Sequence, residues 1–324
     1  MHEIDVIGLG SCNIDFICFA PKIPGAEEKV VSRTLEPNGG GVTSNALVQL
    51  ARLGVTTGWF GKVGDDDIGN QLMELFRKEG VDISHVILEK GRRTSFTWIV
   101  VDPRGDRGIV VFPNVSEELS AEDVLRSRDY ISACRIFHTE CLQQPLAPSL
   151  KAAEICREAG AKISFDLDVP CNYAYESGLT SEKELLRMIE LTDIFIPCKS
   201  GAVSITRDED MKRASKKLLD YGPGIVAITL GEKGCVVSSK EKDGTRTIEV
   251  PAFSVTVKDT TGAGDVFHGA FNYGLLKQWD LRKTALFANA CAAIKCTRVG
   301  PRSSPTMEEA RQFMSSRGIE LGTV

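Results

Sequence analysis

The sequence predicts an α/β fold: a central, mostly parallel sheet with helices on both faces, carrying a small β-sheet lid. Three observations predict it. Strand-like apolar runs alternate with amphipathic helical periods along most of the chain. Two segments, 16–37 and 94–112, interrupt that alternation with extended patterns and no helical period. The 324 residues, 42% hydrophobic and 26% charged, suffice for one large α/β domain or two modest ones.

The elements follow in order. Residues 4–10 (IDVIGLG) read as a buried strand. The stretch 39–54 (GGGVTSNALVQLARLG) is a glycine turn and a helix closed by Gly54. Residues 56–64 are a strand, 66–80 an amphipathic helix ending at Gly80, and 84–89 another strand. The run TSFTWIVVDPRGDRGIVVF (94–112) alternates, turns at Pro103–Asp106 and alternates again, a hairpin signal. From about 130 the alternation resumes: strand 132–139, helix 146–160, strand 161–168, helix 181–191, strand 192–198 and helix 208–222. Residues 224–239 hold a strand, a turn and a strand. Helices 263–277, 282–297 and 306–317 close the chain. This divides it into a main domain (1–15, 38–93 and 114–324) and a lid (16–37 and 94–113). No internal repeat or low-complexity tract interrupts it.

Composition excludes several classes. The net charge of -5 and the lack of a basic block argue against a nucleic-acid or anionic-membrane surface. The longest apolar runs are far short of a membrane span, and the first residues lack the pattern of a signal peptide. Ten cysteines include no Cys-x-x-Cys pair, and His2, His85, His138 and His268 do not cluster with them. Free thiols in a reducing cytoplasm are expected, and no zinc site.

Four glycine motifs remain. GLGSCN (8–13) lacks the third glycine of a dinucleotide fingerprint, since Asn13 stands there, so an NAD-dependent dehydrogenase is disfavoured. DTTGAGDVFHGAF (259–271) places Gly262, Ala263 and Gly264 at a helix entrance, where backbone N–H groups form an anion hole. Asp265 behind them is either a first-turn cap or a base beside a phosphate. TLGEKGC (229–235) is a backbone–phosphate contact or a tight turn between strands. NGGGVTSNA (38–46) suits a polyhydroxy ligand or a plain capped helix.

Taken in order, Asp15, the Gly39–Gly41 turn with Asn45, GKVGDDDIGN (61–70), the hairpin, TLGEKG and DTTGAGD resemble the PfkB/ribokinase family of carbohydrate kinases over roughly residues 4–315. The resemblance implies a ribokinase-like fold and an ATP-dependent kinase acting on a sugar or sugar-like alcohol. It implies that Asp265 is the base and that Gly262, Ala263 and Gly264 hold the transferring phosphoryl group. Asp15, Gly40, Gly41 and Asn45 would bind the sugar; Thr229, Gly231, Gly234 and Asn289 would line the ATP site. Mg2+ is implied with ATP, and Asp259, Thr261 and Ser304 resemble the family's K+ site.

The sequence also departs from the family. The family's Asn-x-x-Glu, tied to magnesium, is replaced in IPCKSGAV by Cys198 and Gly201, and Pro170 stands where an arginine is common. Asp166 or Asp168 would then hold magnesium through water. A catalytically degenerate sugar- or nucleoside-binding regulator on the same fold, and a nucleoside kinase, are the alternatives. Phe16, Phe96, Trp98 and Phe112 either face the substrate or form the core of the small sheet. Open lid edges predict a homodimer paired through the lid.

Overall fold

β1 (Ile4–Leu9) is apolar and buried on both faces from Val6 to Leu9, as a strand covered on both sides must be. It leads to β2 (Asn13–Phe19), β3 (Leu35–Gly40) and α1 (Val42–Arg52). Next come β4 (Thr57–Phe60), β5 (Lys62–Gly64), α2 (Asp67–Glu79) and β6 (Ile87–Glu89). A hairpin follows, β7 (Phe96–Val101) and β8 (Arg107–Phe112). The second half contains α3 (Ala121–Arg126), α4 (Arg128–Ser132), β9 (Cys134–Thr139), α5 (Leu146–Glu158), β10 (Lys162–Leu167), α6 (Cys171–Glu176) and α7 (Glu182–Leu191). It continues with β11 (Ile194–Pro197), α8 (Lys199–Thr206), α9 (Met211–Leu219), β12 (Ile225–Thr229), β13 (Cys235–Glu241) and β14 (Gly244–Val250). It ends with α10 (Ala263–Leu276), α11 (Leu281–Cys296) and α12 (Met307–Ser315). The computed structural model describes residues 4–321; His2 lies outside them.

Eight strands form one sheet in the order β14-β13-β12-β11-β10-β9-β1-β4. The six from β12 to β4 pair in parallel, and β13 and β14 are antiparallel additions. Two apolar cores cover its faces. One packs α1, α2, α10 and α11 around Leu47, Phe76, Phe271 and Phe287. The other packs α5, α7 and α9 around Phe137, Phe165 and Phe195. Caps fix the helix starts: Asp66 accepts from the Gly69 N–H, and Ser181–Glu184 and Thr306–Glu309 form capping boxes.

A second sheet, ordered β3-β2-β7-β8, stands apart from the first. β2 and β7 run parallel, and β3 and β8 flank them antiparallel. Only the ends of the 16–37 segment are strand; residues 20–34 are irregular. The strands instead extend outward, back to Asn13 and on to Gly40, because Asn13 pairs with Gly40 and Asp15 with Asn38. The glycines at 39 and 40 are therefore ladder residues, and only Gly41, at φ 98°, makes the turn into α1. The expected strand over 56–64 is split at Gly61, where a side chain would strike the Trp59 ring. The short helices α3, α4, α6 and α8 had no strong periodic signal.

All ten cysteines are free thiols, eight of them buried. Among the described residues no helix is long and apolar enough to cross a membrane.

Candidate active site

The carboxyl ends of the parallel strands open onto one crevice, the usual ligand position in such sheets. Four segments deliver carboxylates there: Asp15 comes from β2, Glu140 follows β9, Asp168 follows β10, and Asp265 lies in the first turn of α10.

The turn into α10 is built around Gly262. It is left-handed, φ 80°, and a Cβ there would lie 2.6 Å from the Pro301 carbonyl. No side chain caps this helix. The Ala263 N–H donates to the Thr260 carbonyl at 3.1 Å. The N–H groups of Gly264 and Asp265, like those of any first turn, have no intrahelical acceptor. They are left open to an acceptor from outside the helix.

Asp265 Oδ2 accepts from Asn45 Nδ2 at 2.7 Å. Asn45 is oriented in turn by Arg302, whose Nε donates to its Oδ1 at 3.2 Å. Arg302 Nη2 also donates to the Gly40 carbonyl (3.1 Å) and Ser44 Oγ (2.8 Å), and its guanidinium lies over the Phe76 ring. Desolvation by the crevice walls pushes the Asp265 carboxyl up to about 7. The Asn45 bond opposes the rise, and the charges of Asp168, Glu140 and Asp15 add to it.

Asp15 accepts from Asn13 Nδ2 at 2.6 Å, and that amide also donates to Thr97 Oγ1 at 2.9 Å. Burial raises Asp15 to about 6 against these bonds. A side chain at Gly40 would collide with the Asp15 carboxylate, so the glycine admits it. Asp15, Gly40, Gly41 and Asn45 thus adjoin one another and Asp265. Glu140 joins them, accepting from the Ser11 N–H at 2.6 Å and from the Leu142 N–H. Burial raises it to about 7.

The nucleotide-side residues are less united. A cleft of about 720 Å³ is lined by Asp168, Cys198, Lys199, Ser204, Thr229 and Gly231, among others. Gly234 instead closes the β12–β13 turn, accepting from the Leu230 N–H at 2.8 Å and packing on Val250. Asn289 is buried and donates to the Val250 and Pro251 carbonyls, both at 3.1 Å. Neither contributes to the lining of that cleft.

The two aspartates of FDLD separate. Asp166 points into the core, with Oδ2 3.3 Å from His268 Nε2, and is 1% exposed. Burial drives its carboxyl well above the ordinary range, and the charges of Asp168 and Asp265 add to that. It is not positioned to hold magnesium through water. Asp168 is solvent-accessible at the cleft mouth, yet crowded enough by protein atoms to be raised to about 6. Cys198 caps α8, its Sγ accepting from the Gly201 N–H at 3.3 Å. A Cβ at Gly201 would lie 2.8 Å from the Leu167 carbonyl, so this backbone has no room for a glutamate there.

Around the anion turn, three oxygen-bearing residues each meet a cation of the protein. Asp259 meets Lys295, whose Nζ lies 2.8 Å from its carbonyl and 3.3 Å from its Oδ2. Thr261 Oγ1 accepts from Arg107 of β8, which also reaches Thr260 Oγ1 at 3.4 Å. Ser304 accepts from Arg52 Nη1, through its carbonyl at 2.7 Å and its Oγ at 3.4 Å. Burial works to raise the Asp259 carboxyl, but the Thr261 and Gly300 N–H groups and the Lys295 charge bring it below its ordinary value.

Phe16, Phe96, Trp98 and Phe112 all lie on the face of the small sheet opposite Asp15. Phe16 pairs in register with Trp98, and Phe96 with Phe112, while Asp15 pairs with Thr97. They stack on each other, Phe96 on Phe112 at 4.4 Å between centroids, and turn away from the crevice. Trp98 and Phe112 are each 39% exposed. Sequence reasoning missed Glu140, Asn13, Arg302, Arg107 and Lys295. Glu140 alone had a readable signal, a carboxylate directly after a parallel strand.

The family model described as pfkB family carbohydrate kinase matches residues 2–308. Fructokinase-1 of Oryza sativa subsp. japonica is 28% identical over 96% of this chain and 98% of its own length. Ribokinase of Haemophilus influenzae is 31% identical over 94% and 97%. Among solved structures, ribokinase of Thermotoga maritima superposes with a TM-score of 0.83 at 26% identity, over 96% of this chain and 99% of that one. An Escherichia coli protein provisionally named ribokinase II, solved with ATP and Mg2+, shares the fold with a TM-score of 0.83 at 24% identity, over 97% and 99%.

Proposed function

The chain belongs to the pfkB family of carbohydrate kinases, and we propose that it transfers the γ-phosphoryl group of ATP to a hydroxyl of a sugar, with Asp265 as the base. One observation carries this reading. Asp265 sits between the uncapped N-terminus of α10 and the polar subsite of Asp15, Asn45 and Glu140.

Phosphoryl transfer needs positioning and charge stabilisation more than covalent chemistry. The subsite's carboxylates and amides would orient sugar hydroxyls, as acceptors and donors fixed in place before binding. The first-turn N–H groups would receive the transferring group, a term on the order of 3 kcal/mol per donor. Asp265, raised to about 7, is matched to proton uptake near neutrality. The small sheet acts as a lid, excluding water and so limiting wasteful ATP hydrolysis.

Magnesium fits the cleft. Asp168 lies at its mouth, and no three His, Cys, Asp or Glu side chains among the described residues form a ready metal cage. Magnesium suits such a place because it keeps its waters and leans on substrate phosphates. Bound with ATP, it would neutralise charge on those phosphates. Asp168 would hold it through water, in place of the missing Asn-x-x-Glu.

The half-exposed ring face of the lid, with Val110 53% exposed, favours pairing of two lids in a homodimer. Light scattering that gives a monomer mass at micromolar concentration would sink that part.

An ADP-release assay with Mg-ATP tests the activity. The relatives named fructokinase and ribokinase put ketohexoses and pentoses at the head of the acceptor panel, with keto-deoxy acids and nucleosides after them. Acceptor-dependent release is expected. Silence across the panel with sugar binding retained would support the second reading, a non-catalytic sugar-binding protein, which Cys198 and Gly201 favour.

A further inference from the structure

The resemblance to the PfkB/ribokinase family implies a monovalent cation at Asp259, Thr261 and Ser304. The oxygens present do not fit a free ion. Each already meets a cationic side chain of the protein: the buried Lys295, the exposed Arg107 and the part-buried Arg52 respectively. Of these, Lys295 is the informative one. It is the penultimate residue of α11, in an otherwise apolar run, and is 0% exposed. A fully buried lysine is rare unless its charge has a dedicated partner. Here the ammonium bonds the Asp259 carbonyl and faces its carboxylate, the two kinds of oxygen that a potassium ion would seek. That carboxylate also accepts from the Thr261 N–H (2.9 Å) and the Gly300 N–H (2.9 Å), so it ties the anion turn to the 300–304 loop.

We infer that the Lys295 ammonium is a tethered replacement for the monovalent cation, so that this kinase needs no potassium. An ammonium is a compact point charge with three donors and carries the same charge as the ion it replaces. Held on a helix terminus, it supplies that charge at every salt composition. The C-terminal end of a helix also favours a cation. The inference rests on the kinase reading for its rate measurements only.

Two measurements test it. First, ADP release is measured at fixed ionic strength in potassium, sodium and tetramethylammonium chlorides. The wild type should vary by no more than about twofold, whereas Lys295→Ala should lose at least about tenfold without potassium and recover with potassium or methylammonium. Second, crystals soaked in rubidium chloride are examined for anomalous density. The wild type should show none at the Asp259 carbonyl, and Lys295→Ala should show a peak there. Potassium activation of the wild type by tenfold or more, or rubidium density at that carbonyl in the wild type, would overturn the inference. So would a folded Lys295→Ala protein that neither responds to potassium nor holds rubidium. If the variant does not fold, the wild-type arms still decide. The rubidium result is independent of catalysis, so a wrong acceptor or a non-catalytic protein would leave it standing.

Discussion

The acceptor wall and the nucleotide wall of the crevice differ in what satisfies their polar groups. On the acceptor wall the carboxylates and the key amide are braced by other side chains and backbone: Arg302 orients Asn45, Asn45 binds Asp265, Asn13 binds Asp15, and the Ser11 N–H binds Glu140, while Asn13 Oδ1 and Arg302 Nη1 stay buried without a partner. On the nucleotide wall, Asp168 and Thr229 border a cleft of about 720 Å³, with Cys198 in place of an amide and Gly201 in place of a carboxylate. A wall braced from within is ordered before binding and selects its ligand by shape and hydrogen bonds. A wall left open relies on what the ligand brings, here phosphates and magnesium. The comparison suggests that selectivity belongs to the sugar side.

The sharpest break is at Asp265. Asp265→Asn should lower kcat by at least ~10² while thermal shift still reports ATP binding. Near-normal turnover would remove its role as base. The wild-type kcat/KM should fall as pH drops through about 7, because the base must be unprotonated.

Next is Arg302→Met, which should leave ATP affinity unchanged and cost roughly ten- to a hundredfold in kcat/KM for the acceptor by freeing the Asn45 amide to rotate. An equal loss on both substrates would mean that the two walls are not independent. Gly201→Glu restores half of the missing family motif on the opposite wall. It should destabilise by ~1–3 kcal/mol in urea unfolding, because the Cβ meets the Leu167 carbonyl, without raising kcat. A gain in activity would show that the nucleotide wall is merely degenerate.

The smallest effect is on stability against pH. Asp15 is raised to about 6, and Glu140 and Asp265 to about 7. A carboxyl with a raised folded pKa binds its proton more tightly when folded. Its contribution is full below about 4 and is lost as pH rises through 6 to 7. The ligand-free protein should therefore melt at a higher temperature near pH 5 than near pH 8, and Asp265→Asn should flatten that slope. A melting temperature that rises steadily to pH 8 would contradict the burial of these groups.

Much of the architecture was legible because it is local. Strand and helix periods, the Gly54 and Gly80 stops and the Pro103–Asp106 turn are written within a few residues of where they act. The DTTGAGD turn and the Asn45 helix were legible for the same reason. What escaped depends on distant pieces meeting. Arg302 and Asn45 are separated by 257 positions. Lys295 sits in an apolar helical run, where nothing local distinguishes a buried ammonium from one that reaches solvent. The outward turn of Phe16 and Trp98 follows from the register that put Asp15 inward, and alternation alone does not say which set faces the crevice. Asp166 and Asp168, two apart on a strand end, read alike but split between core and cleft once the strand stops.

The bond between Arg302 and Asn45 also has a consequence for biosynthesis. A chain emerging from the ribosome has made Asp15, Asn45 and the whole lid long before Arg302 exists. Asp265, Lys295 and Arg302 all follow them far downstream in the sequence. A product terminated before Asp265 would therefore carry Asp15 and Asn45 without the arginine that braces Asn45 or the aspartate that Asn45 binds.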